Sequence, residues 1–102
     1  MKLMTKEIEK KLLSRPYGKY DGLGLNAPLT VKYFNPCGAG TWLITEGEKL
    51  ENGDWLLYGY CHICEWEWGN VLLSELENYK GPWGLGVERD YYAKGTVQEN
   101  VA

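Results

Sequence analysis

Between Leu50 and Tyr79 the chain has neither lysine nor arginine. Six acids stand in that window: Glu51, Asp54, Glu65, Glu67, Glu75 and Glu77. Such a stretch repels phosphate backbones and favours a basic partner, and the electrostatic footprint of a nucleic-acid binder is missing from it. Histidine and phenylalanine each occur once among 102 residues. A lone histidine with no serine or carboxylate pattern around it offers no visible nucleophile–base pair. Three cysteines, an odd number, exclude a complete disulfide framework. No run approaches the roughly 18 apolar residues of a membrane span. The opening "MKLMTKEIEKKLL" lacks the continuous apolar run of a signal peptide. These absences predict a cytoplasmic protein with no membrane partner, no cofactor and no catalytic residue.

Aromatic residues are abundant: five Trp and eight Tyr. Both types carry apolar bulk with a polar tip, which suits half-buried sheet faces and binding surfaces. The length predicts one domain spanning residues 1–102, large enough to bury one core without staples. Net charge is −3 but unevenly spread, with +3 in residues 1–50 and −6 in residues 51–102.

Thr5 is a candidate N-cap, with Glu7 and Glu9 in the first turn of the helix it would open. Met4, Ile8 and Leu12, with Leu13 beside them, form an apolar stripe that Pro16 ends. "PYGKYDGLGLNAP" reads as a loop. Strands are predicted at "LTVKYF" (Leu29–Phe34), "TWLIT" (Thr41–Thr45), "WLLYGYC" (Trp55–Cys61) and "EWEWGNVLL" (Glu65–Leu73), with "EGEKLENGD" as a polar loop. "WLLYGYC" has apolar groups on both faces, the mark of a central position. "SELE" predicts a short second helix, with Ser74 as its cap and Glu77 reaching back. "VERDYYA" is a candidate fifth strand, and the last residues read as frayed. The order predicts an α+β fold: an antiparallel sheet of four to five strands with an N-terminal helix and a short second helix.

Several stretches, taken together, resemble a small bacterial family: "LMTKEIEKKL", "VKYFNP…TWLITEGE", "DWLLYGY" and "EWGNVLLSELENYKGPWGLGVERDYY". The most specific are S-E-L-E, then G-P-x-G-L, then E-R-D-x-Y, and the resemblance covers nearly the whole chain. The family it points to consists of single domains of unknown function carried on plasmids, conjugative elements and phages. The resemblance brings no chemistry and no site residue. It implies a mobile-element setting, in which small proteins act on host machinery, restriction and CRISPR defence included. Its pattern does not include the Cys-x-x-Cys that precedes "EWG" here.

Four residues are the candidate metal set: Cys37, Cys61, His62 and Cys64. A structural zinc site uses four ligands, usually as two separated pairs, and only one pair exists here. Adjacent residues rarely ligate one ion in a tight loop, so "CHIC" is expected to be a hairpin turn and the metal site absent. A redox pair would open a helix in a βαβ unit, whereas this one lies between strands. In "EWEWG", alternation sends Glu65 and Glu67 to one face and Trp66 and Trp68 to the other. The simplest meaning is a half-buried strand with its tryptophans inward. The functional alternative is an acidic stripe for a basic partner, extended by Asp54 and Glu75, with Trp83 protruding from a Gly/Pro turn.

The leading expectation is therefore a non-enzymatic binding protein that inhibits a host defence protein, of anti-CRISPR or antirestriction type, through an acidic-aromatic surface. The runner-up is a nucleic-acid-binding module using the basic N-terminal half, including Arg15, Tyr17, Lys19 and Tyr20, or a structural domain without inhibitory role. An enzyme whose cleft gathers distant residues is the third class.

Overall fold

In the computed structural model, which describes residues 2–101, five strands form one antiparallel sheet. Helix α1 (Lys6–Leu13) starts where predicted: Thr5 Oγ1 accepts from the Ile8 amide at 3.1 Å. Ile8 and Leu12 are buried against the sheet, while Leu13, expected in the same stripe, is exposed. An eight-residue helix is too short to persist alone, so its stability comes from that packing.

The strands are β1 (Val31–Phe34), β2 (Thr41–Lys49), β3 (Trp55–His62), β4 (Trp66–Leu72) and β5 (Glu88–Arg89), in the spatial order β4-β3-β2-β1-β5. β2 is central and β3 lies between it and the edge strand β4. The predicted fifth strand shrinks to two residues paired with Tyr33 and Phe34. Helix α2 (Leu73–Asn78) follows β4 without a linker. Because the chain runs straight from strand into helix, Ser74 already lies inside the first turn and is not its cap. The cap comes from elsewhere: Ser74 Oγ and its amide donate to the Asp54 carboxylate at 2.6 and 3.1 Å, and the Leu72 amide donates to Glu75 Oε1 at 3.0 Å.

The main core lies on the helix side of the sheet, where Ile8, Leu12, Tyr33, Ile44, Trp55, Leu57 and Leu76 pack together. Burying a side chain such as Leu57 contributes about 1.5–3 kcal/mol. Burial raises the Tyr33 hydroxyl well above its ordinary range, helped by Glu77 and opposed by Arg89. That hydroxyl donates to the Leu3 carbonyl at 2.7 Å. Gly59 is required where β3 meets β2, because a Cβ there would collide with the Leu43 carbonyl.

The opposite side has a smaller core of Ala27, Leu29, Leu43 and Val97. It is closed by the loop before β1 and by the C-terminal segment. The segment expected to fray is clamped: the Leu29 amide donates to the Gly95 carbonyl and the Val97 amide to the Ala27 carbonyl, at 2.8 and 3.0 Å. Val97 stands between the polar residues Thr96 and Gln98, yet it is fully buried.

Candidate functional site

The basic-free window folds into one contiguous unit, β3, β4 and α2, at the edge of the sheet. Its acids do not converge. Asp54 accepts three bonds, from the Trp55 amide and from the amide and hydroxyl of Ser74. Those donors, the Ser74 hydroxyl first, hold its carboxyl below the usual range. Glu75 caps the Leu72 amide. Both acids therefore serve the β4–α2 junction. Glu65 lies exposed in the β3–β4 connection, and Glu67 is exposed opposite Cys61. The length of β4, about 20 Å, separates these two pairs. Trp83 protrudes at 90% exposure from the Pro82–Gly84 turn, with a left-handed φ of 58°.

The cysteines are free and scattered. "CHIC" is not the turn: Cys61 and His62 end β3, and Ile63–Glu65 make the connection. Strand alternation sends Cys61 toward the helix side and His62 to the other face. Burial, with Glu67 next, pushes the Cys61 thiol up to about 11. Cys37 sits in the β1–β2 turn, where its amide donates to Asn35 Oδ1 at 3.0 Å. Among the described residues, no group of three or more His, Cys, Asp or Glu is placed to hold a metal.

The helix-free face of the hairpin carries what alternation only half disclosed. Tyr58, Tyr60 and His62 share this face of β3, and register places Asn70, Trp68 and Trp66 opposite them. Tyr60 stacks on Trp66 at 5.1 Å between ring centres, and Tyr58 on Trp68 at 5.7 Å. Trp68 also meets Tyr60 at 4.9 Å, and His62 meets Trp66 at 5.1 Å. Tyr17 extends the file from the loop, 5.0 Å from Tyr58, and its hydroxyl accepts from Asn70 Nδ2 at 3.1 Å. Such pairs contribute about 0.5–1.5 kcal/mol beyond area burial. The tryptophans are not inward in the expected sense: Trp66 is half-buried, and Trp68 remains 36% exposed on the side without helices. The signal was the period-two aromatic spacing in both arms of "WLLYGYCHICEWEWG", which a hairpin register must bring together.

Beside this file lies Glu46, which belongs to β2 and not to the polar loop expected over residues 46–54. β2 runs on to Lys49, with a bulge between Ile44 and Glu46. The extra residue, Thr45, reverses strand parity. It turns Glu46 to the aromatic face, opposite Tyr58, rather than into the aliphatic core. Glu46 is only 2% exposed, and its two oxygens accept from the Gly18 and Tyr20 amides at 3.0 and 3.1 Å. The carboxylate thereby shapes the loop over the sheet and leaves a cleft of about 330 Å³. Tyr20, Asp21, Thr45, Glu46, Tyr58 and Trp68 line it. Burial first, then Tyr17, Glu46 and Asp21, raise the Tyr58 hydroxyl. Arg15, on the same loop, is committed elsewhere: its guanidinium donates to Thr30 Oγ1 at 2.7 Å and the Leu29 carbonyl at 3.4 Å, and lies 5.9 Å from the Tyr20 ring centre.

An aromatic file and an acid-lined cleft thus share one face of a five-stranded α+β sheet. Residues 3–100 match the family described as "Protein of unknown function (DUF2958)", and the chain belongs to that family. No curated protein and no solved structure matches it. No helix of the described residues is long and apolar enough to cross a membrane.

Proposed function

We propose that this chain is a non-enzymatic binding protein. It engages a basic protein surface through the edge hairpin β3–β4, and in a mobile-element setting its partner is a host defence protein of CRISPR or restriction type. The observation that carries the reading is the coincidence of two features in one unit. The segment without lysine or arginine is the one that exposes stacked tryptophan and tyrosine rings. Aromatic residues are the common anchors of protein interfaces, and the negative charge of the same unit steers a basic partner toward it. The mobile-element setting rests on the sequence resemblance alone.

Affinity capture from host cells tests the reading, using wild type, Trp68→Ala, and the charge reversal Glu65→Lys/Glu67→Lys, each confirmed by its melting curve to be folded at the capture temperature. The expected result is one identified basic protein that wild type retains, that Trp68→Ala loses, and that charge reversal releases at lower salt. Retention that ignores both variants, or no retained protein, would overturn it. A gel shift at low salt with each half of the charge distribution neutralised in turn separates this reading from nucleic-acid binding.

A further inference from the structure

We infer that the cleft between the Tyr17–Gly24 loop and the β2–β3 face takes the guanidinium of an arginine side chain presented by the basic partner. The inference deepens the proposed function and rests on it only for the source of the cation.

Glu46 is the starting point. A carboxylate offers about four lone-pair sites, and the Gly18 and Tyr20 amides occupy two. Among the described residues, the donors to Glu46 are these two amides, and the lysine ion pairs Lys32–Asp90 and Lys49–Glu9 lie elsewhere. A buried carboxylate held only by amides retains attraction for a cation, and low local polarity strengthens it. The rest of the lining has the matching form. Asp21 is exposed at the rim and adds a second negative charge. Tyr20, Tyr58 and Trp68 give an apolar wall.

A volume of about 330 Å³ is at the small end of ligand pockets, with room for one arginine side chain and little for a large cofactor. A simple metal ion would leave the aromatic wall unused. A lysine ammonium is more strongly hydrated, whereas the flat guanidinium is weakly hydrated, lies well along aromatic rings and accepts carboxylates on two edges. The bulge at Thr45 supports the assignment independently. Bulges recur where a side chain is re-aimed at a site, and this one directs the single buried carboxylate of β2 to the cleft.

The test uses the intact chain and N-acetyl-arginine methylamide as probe, titrated at constant ionic strength into the millimolar range expected for so small a ligand. The readout is the indole N–H resonance of Trp68, assigned with Trp68→Phe. The blocked arginine is expected to shift it saturably, and the neutral isostere N-acetyl-citrulline methylamide is not. Because Glu46→Gln can unseat the loop, the discriminating variant is Asp21→Asn at the exposed rim. It is expected to keep the wild-type melting curve and weaken the probe about fivefold. No saturable shift, equal binding of citrulline, or indifference to Asp21→Asn overturns the inference. An Ala-Arg-Ala peptide binding at least as tightly as agmatine supports a protein-borne side chain; agmatine binding tighter overturns that source. If the probes fail while Trp68-dependent capture of a partner succeeds, the cation site falls and the proposed function stands. If the probes bind and no partner is retained, the reverse holds.

Discussion

The two faces of the sheet use their apolar residues differently. On one side, α1 and α2 seal Ile44, Trp55 and Leu57 from water. On the other, rings of similar bulk stack on one another under loops and stay partly open. A face closed by helices contributes stability. A face covered by loops leaves rings such as Trp68 partly exposed. The contrast teaches that apolar content alone does not distinguish core from interface; what covers it does.

That contrast breaks most readily at the two tryptophans. Trp55→Ala, at a site 1% exposed, is expected to cost about 3–5 kcal/mol in denaturant unfolding. Trp68→Ala is expected to cost about 1–2 kcal/mol. Equal losses would show that both faces are core. Next in size is a pair of glycines that face each other across β3 and β4. Gly59→Ala would drive a methyl group into the Leu43 carbonyl, whereas nothing lies within 4 Å of a Cβ at Gly69. The first is expected to lower stability by about 1–3 kcal/mol, the second to change it by about 0.5 kcal/mol or less. Thermal melts of both variants check this.

A double-mutant cycle on Tyr60 and Trp68 reads the ring file itself. The expected coupling is about 0.5–1.5 kcal/mol; none would mean the rings are neighbours without interaction.

The smallest effect concerns the join of the hairpin to α2. The carboxyl of Asp54 is lowered by its bonds to Ser74. Its contribution is therefore fully present above the ordinary carboxylate range and is lost as pH falls through the lowered folded value. Asp54→Asn is expected to melt below wild type at neutral pH, with the gap closing at strongly acidic pH. A gap that persists there would assign the loss to hydrogen-bond geometry rather than charge.

Much of the fold was legible because its signals are local. Thr5 caps its helix with its own hydroxyl, and Tyr33, Leu57 and Trp66 sit in strands that alternation marks. The candidate site was legible only in part, since register decides it. Nothing local in "TEGEK" shows that Thr45 is an extra residue or that Glu46 is buried. The bulge breaks the very periodicity used to recognise a strand, and the donors to Glu46 lie 26 and 28 residues away. Ser74 misled for the same reason: "SELE" is a sound local cap, but Asp54, 20 residues earlier, supplies the acceptor. Val97 was missed because its burial depends on a clamp to Ala27 that no neighbouring residue announces.

The position of β4 at the border of the sheet has its own consequence for the free chain. Its outer row of amides and carbonyls faces no other strand among the described residues, and "WEWGNVL" contains neither lysine nor proline to discourage a foreign strand. Glu65 and Glu67 are then the guards against self-association at high concentration. Replacing both with neutral glutamine is expected to promote aggregation visible by light scattering, while reversing them to lysine is not. Such an outcome would assign the two acids a role in keeping the border strand from pairing with a second copy, separate from any role in binding.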